Sequence, residues 1–186
     1  MLSLLKLEHE VIDVDLANRA HKRDDFLAKN VFGQVPVLED GPVVLADSNA
    51  ILVYLATRYD PARSWYPTDP AAAGSVQRFL SAAAGPIAFG PAAARLVTVF
   101  GASLDHAAAQ ARATAFLTAL DRLLAGREYL VNTPTIADVA CYSYLAHAPE
   151  GGVSLDPHPH VRAWLTRIES WDGFVPMAPS AAGLVA

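Results

Sequence analysis

The chain has 186 residues, 53% of them apolar and 18% charged, with a formal net charge of −5. That balance suits a folded chain with a real core rather than a disordered one, and the scattered Lys and Arg, with no basic stripe, argue against nucleic acid as a partner. One cysteine, Cys141, excludes an internal disulfide framework and a Cys-based zinc site, and no apolar run in the sequence approaches the ~20 residues of a membrane span.

In chain order, Met1–Leu7 reads as part of a helix. His9–Val14 alternates around β-branched residues and predicts a strand. Asp24–Lys29 predicts a short helix. Val35–Leu38 and Val43–Leu45, separated by Asp40-Gly41, predict a hairpin. Ser48 opens a helix whose apolar side is Ile51, Leu52, Leu55 and Tyr59. Residues 60–69 then break the helical pattern with two prolines and polar turn residues. They divide the chain into a first unit over 1–60, a linker over 61–69 and a second unit over 70–186.

The second unit is Ala/Leu-rich and predicts helices at about 70–100, 105–125, 135–148 and 159–171. The first should bend or break at Gly85-Pro86, because proline removes a backbone donor and its ring crowds the preceding turn. The third opens with Thr135-Ile136-Ala137-Asp138, a capping box with Asp in the third position. Cys141 sits inside that helix and reads as a small core side chain; a lone thiol fits a reducing cytosol. The six histidines show no metal-ligand spacing, so no metal site is expected.

Three segments carry more than secondary structure. They are Asn30–Leu38 with its Val35-Pro36 step, Leu45–Ile51 with Asp47-Ser48 before a helix, and Thr135–Asp138 followed by Tyr142. In this order and spacing they resemble the cytosolic glutathione transferase family, and the resemblance covers essentially the whole chain. It implies an α/β thioredoxin-like N-terminal domain, here without its first strand, and an all-α C-terminal domain. It also implies a cis Val35–Pro36 bond, glutathione as a substrate rather than a resident cofactor, a cytoplasmic location, and no membrane partner. A homodimer is implied too, with the helices around Ser48–Tyr59 and Pro70–Ala84 across the interface.

The resemblance assigns roles to individual residues. A cis proline opening a strand would turn the Val35 N–H and C=O outward, where an extended tripeptide can pair as an added strand. The plainer reading of Pro36 is an edge-strand proline. A helix N-terminus presents unpaired N–H groups and favours a carboxylate, so Ser48 would hold the γ-glutamyl carboxylate and Asp47 the ligand's ammonium. The same two residues also suit simple capping, and the two roles are compatible. Lys22 and Gln34, with His21 as a lesser candidate, match positions that hold the glycyl carboxylate. Phe89, Arg95, Val99 and Tyr142 are candidates for the electrophile pocket, although such residues are more often core.

The family's catalytic Ser, Tyr or Cys lies in a loop before the first helix. Met1–Leu7 resembles the second half of that helix, so roughly 12–18 preceding residues are expected to be absent, and no catalytic residue is expected in this chain. Ser3 lies too far along the helix to serve. Losing a central strand would leave ladder groups unpaired at about 1–3 kcal/mol each. The leading expectation is a glutathione transferase that joins the thiolate to small hydrophobic electrophiles. The alternatives are a non-catalytic glutathione- or protein-binding scaffold of the same fold, and an isomerase or dehalogenase of the same family.

Overall fold

The computed structural model describes residues 1–181; the last five residues of the 70–186 unit lie outside them. Met1–Leu7 forms a single helical turn, with the Leu5 amide on the Met1 carbonyl at 3.0 Å. Lys6, at φ 55, ends it in the left-handed region. A short helix, α1 (Asp24–Leu27), follows a 3₁₀ turn at Ala20–Lys22. Strands β1 (Val37–Asp40) and β2 (Val43–Ala46) pair antiparallel with Val37 opposite Ala46, and Gly41 takes the positive φ of 56° at the tip. Helix α2 (Ser48–Tyr59) leaves directly from β2.

No strand forms over His9–Val14, which corrects the sequence expectation. The only sheet among the described residues is the β1–β2 pair. Residues 8–14 enter no backbone–backbone hydrogen bond among the described residues, and Val11 and Ile12 are 76% and 72% exposed. Alternating β-branched residues favour a strand only where a neighbouring chain accepts their amides, and here none lies alongside.

Helix α3 (Pro70–Ala82) starts on a well-formed cap: the Asp69 carboxylate accepts the Ala72 amide at 2.9 Å, and Pro70 occupies the first turn, where its missing N–H costs nothing. The expected break near Gly85-Pro86 is a π-helical stretch, Ala83–Ala92, that leads into α4 (Ala93–Phe100). Pro86 and Pro91 both lie in it. Neither can donate the usual bond, and the wider turn accommodates both rings. Taken together, Pro70–Phe100 is a 31-residue helical stretch long and apolar enough, by length and composition, to cross a membrane, which the sequence pattern alone did not suggest. Val76, Phe79, Leu80, Ile87 and Ala94 of this stretch are buried in the core.

Helices α5 (His106–Leu124), α6 (Ile136–Ala146) and α7 (Pro159–Glu169) complete the second unit. The π stretch lies hard against α5: a Cβ at Gly90 would stand 3.0 Å from the Ala113 amide nitrogen, tight enough that a larger residue would push the α5 backbone back. Leu117, Leu124, Ile136, Leu145, Val161 and Trp164 fill the core, and Leu52 and Ala56 of α2 join it, so both units share one apolar cluster. The connecting segment is fastened by the Ile136 amide on the Trp65 carbonyl at 3.0 Å and by the Trp65 ring packed edge-on to Trp171 at 5.4 Å.

The capping box of α6 forms as its sequence predicts. The Thr135 hydroxyl accepts the Ala137 amide at 3.2 Å, and Asp138 accepts the Thr135 amide at 3.0 Å. Asp138 also accepts the Leu130 amide at 3.0 Å and the Trp164 indole at 2.9 Å. Burial pushes this carboxyl above the usual carboxylate range, while the Leu130, Trp164 and Thr135 donors pull the other way.

Candidate functional site

The β1–β2 register decides where the two main sequence motifs meet. Val37 faces Ala46, so Val35 and Ser48, each two residues further out, emerge from the same end of the hairpin. The Val35–Pro36 bond is cis. Neither the Val35 amide nor its carbonyl enters a hydrogen bond among the described residues, and the residue is 43% exposed. An extended peptide laid along this edge would find one donor and one acceptor.

On the facing chain, Asp47 is the N-cap of α2 at φ 77, with its carboxylate accepting the Ala50 amide at 2.9 Å. Ser48 and Asn49 are the first helical residues. Their amides and the Ser48 hydroxyl make no hydrogen bond among the described residues. These are the orphan donors of a helix start, aimed outward with the positive end of the helix dipole behind them. Asp47 is thus engaged in capping, whereas Ser48 keeps its polar groups available.

Gln34 sits one residue before Val35, and Lys22 is brought to it. The Lys22 ammonium donates to the Gly33 carbonyl at 2.8 Å and the Phe32 carbonyl at 3.1 Å. Gly33, at φ 56, fits because a Cβ there would meet the His21 carbonyl at 2.7 Å and the Lys22 ammonium at 2.8 Å. Asn30 shapes this turn, a role its place in the motif did not disclose. It is buried, its carbonyl oxygen accepts the Phe32 amide at 3.1 Å, and its amide donates to the Gln34 carbonyl at 2.8 Å. An Asn two residues before the bonded amide is the Asx-turn signal that marks it.

The electrophile-side candidates do not converge. Phe89 is 64% exposed on the π stretch. Val99 is half-buried on α4, while the Arg95 guanidinium is consumed by a bond to the buried Glu150 carboxylate. Tyr142 faces a different cavity of about 140 Å³, bounded by Met1, Leu4, Trp171 and Phe174, which the other three do not line. Its hydroxyl donates to Glu169 at 2.8 Å, and burial together with that carboxylate pushes the phenol well above its ordinary range. A larger groove of about 590 Å³ lies between β2, α2 and α3, walled by Leu45, Val53, Tyr54 and Leu80.

Comparison with known proteins gives this arrangement its lineage. The N-terminal domain family of glutathione S-transferases matches residues 1–57, and the corresponding C-terminal domain family matches residues 101–173. The chain is 32% identical over 174 residues to human glutathione S-transferase theta-2B, covering 88% of this chain and 71% of that protein. The chain belongs to the glutathione S-transferase family. It is also 33% identical over 183 residues to glutathione S-transferase 3 of Zea mays, covering 90% of this chain and 81% of that one. The solved glutathione S-transferase of Pseudomonas fluorescens Pf-5 superposes with a TM-score of 0.86 at 31% identity, over 94% of this chain and 89% of that chain. A glutathione transferase homolog of Drosophila mojavensis, solved with bound glutathione, has a TM-score of 0.78 at 27% identity, over 91% of this chain and 79% of that chain. The family fold, a thioredoxin-like N-terminal domain followed by an all-α domain, accounts for the hairpin, α2 and the helices after residue 69.

Proposed function

We propose that this chain binds glutathione at the end of the β1–β2 hairpin and serves conjugation of its thiolate to small hydrophobic electrophiles. One observation carries the reading: the unpaired main chain of Val35 and the unpaired start of α2 at Ser48 open side by side. Val35 would pair with the peptide's central residue. The Ser48 amide and hydroxyl would receive the γ-glutamyl carboxylate, and Asp47, on the same turn, would face the ligand's ammonium. Lys22 and Gln34 would flank the glycyl carboxylate. Phe89, Val99 and Tyr142 remain the proposed electrophile-side residues, with Arg95 acting through α4. The hydroxyl that ionises the thiol would come from outside these residues, so binding is the property to test first.

Isothermal titration with glutathione is the direct experiment. The chain should bind, and Ser48→Ala should weaken binding by roughly 10-fold or more, since a hydrogen bond to a charged group contributes about 1.5–3 kcal/mol. An absence of binding at millimolar glutathione would sink the reading. Binding without conjugation of a chlorodinitrobenzene substrate would identify a module that holds the peptide and leaves its thiol unactivated. The reading further places two such chains face to face over the groove between α2 and α3, in the cytosol. Sedimentation at micromolar concentration tests that assembly.

A further inference from the structure

Outside the glutathione site lies a buried polar hub that no role above absorbs. It is centred on Glu150, whose side chain is fully buried in the turn that follows α6. One carboxylate oxygen accepts from the Arg95 guanidinium of α4, and His147 Nδ1 stands 3.3 Å from the same oxygen. The other oxygen accepts the backbone amide of Ser180, far along the C-terminal segment. The turn itself is immobilised from two sides. A Cβ at Gly151 would stand 2.8 Å from the Arg95 amide nitrogen, so the turn lies directly on α4. From α5, His106 Nε2 and Gln110 Nε2 both reach the Gly151 carbonyl, at 2.9 and 3.0 Å.

The C-terminal segment is therefore fixed at two points. At its start, the Phe174 ring packs edge-on to Tyr142 at 5.0 Å and its amide bonds to the Trp171 carbonyl at 3.0 Å. At its end, Ser180 meets Glu150. Between these points the segment has no regular secondary structure and makes no hydrogen bond among the described residues, and Val175 is 69% exposed. A segment hydrogen-bonded to the body at its two ends, with one end on a carboxylate that also holds α4, is a strap.

We infer that Glu150 is a positioning residue that fastens the strap Phe174–Ser180 to α4, so that strap and helix move as one body. A burial this complete costs a carboxylate its hydration, which only several donors acting together offset. The Ser180 amide is one of those donors, so the strap and the Arg95 pair support each other. The functional half of this inference rests on the reading above, in which α4 bounds the electrophile side. A strap locked to α4 would limit what that side admits, without touching the groups that hold glutathione.

Hydrogen exchange read by mass spectrometry on the whole chain tests the strap without reference to activity. In the wild-type protein, the Ser180 amide should exchange about tenfold slower than in a free peptide of the same sequence, the protection of roughly one hydrogen bond. Glu150→Ala should abolish that protection. Because Glu150→Ala also strands Arg95, Ser180→Pro is the cleaner variant: it deletes one amide and leaves the ion pair intact. It removes the strap's bonded amide at Glu150, so its readout is ligand affinity rather than exchange. Free-peptide exchange of the Ser180 amide in the wild type, or protection that survives Glu150→Ala, would overturn the strap. The positioning role is read by affinity: Ser180→Pro should weaken S-hexylglutathione about fivefold and leave glutathione unchanged. Equal effects on both probes, or none on either, would overturn that role. If the wild type binds neither probe, the glutathione reading fails while the exchange data still decide the strap.

Discussion

Replacing Asp138 by Asn tests whether the α6 capping box is a structural keystone. The side chain is fully buried and its oxygens face only donors. Oδ1 accepts the Leu130 amide and the Trp164 indole, while Oδ2 accepts the Thr135 amide and, at 3.4 Å, its hydroxyl. Asn has nearly the same shape but turns one acceptor into an NH₂ that opposes these donors. Each stranded buried donor costs about 1–3 kcal/mol. Two stranded donors plus a donor–donor conflict give a loss of at least about 3 kcal/mol, out of a total near ~5–15 kcal/mol for a protein of this kind. Urea unfolding at neutral pH, followed by the fluorescence of the tryptophans, Trp164 among them in the core, measures the loss. Asp138→Ala, which strands the Leu130, Thr135 and Trp164 donors together, should cost at least as much. A loss below about 1 kcal/mol for Asp138→Asn would refute the argument, because it would mean that the native group already carries a proton and donates.

Three further outcomes follow from the same structure. Burial raises Glu150, but the Ser180 amide, Arg95 and His147 outweigh it and hold the carboxyl at about 2, below its ordinary 4.5. Its ionised form therefore stabilises the fold fully above about pH 4.5, and that contribution is lost as pH falls toward about 2. Glu150→Gln should then be destabilised by about 3–5 kcal/mol at neutral pH, with the gap to wild type closing in thermal melts across that acid range. Gly33→Ala should cost at least about 1–2 kcal/mol by thermal melt, because φ is +56° and the new methyl meets the His21 carbonyl and the Lys22 side chain. It should also weaken glutathione binding, since Lys22 and Gln34 would both shift; unchanged stability and binding would rule out the tight Lys22 turn. Asp47→Ala should remove the α2 cap and cost about 1 kcal/mol in chemical denaturation, and an unaffected midpoint would show that the cap adds nothing.

Much of this architecture was legible from local chemistry. Asp40-Gly41 marks the hairpin tip, Asp47-Ser48 marks a helix start, and Thr135 with Asp138 marks another. In each case the signal lies within four residues of the bond it predicts. His9–Val14 fails for the opposite reason: alternation describes a strand's faces but cannot supply the neighbour that makes it a strand. The π stretch was foreseen only as a bend, since prolines announce the fault in a helix and not the geometry that repairs it. The Arg95–Glu150 pair left no trace at all, because 55 residues separate its members. The candidate binding residues divide in the same way. Val35, Asp47 and Ser48 gather because a hairpin and its following helix are contiguous in sequence. Of the electrophile-side residues, Phe89, Arg95 and Val99 share one continuous helical stretch, but Tyr142 comes from α6, and how it sits relative to them depends on tertiary packing that no spacing rule encodes.

The Asp40 carboxylate, at the hairpin tip, accepts the hydroxyls of both Tyr54 and Tyr59 from the latter half of α2. The ribbon is thereby moored at its far end to the helix that begins at its near end. A lever held at both ends cannot swing, so the gap between the Val35 edge and the Ser48 tip has its width set before any peptide arrives. Cutting that mooring should leave the same groups present but imprecisely spaced, a loss of fit rather than of parts.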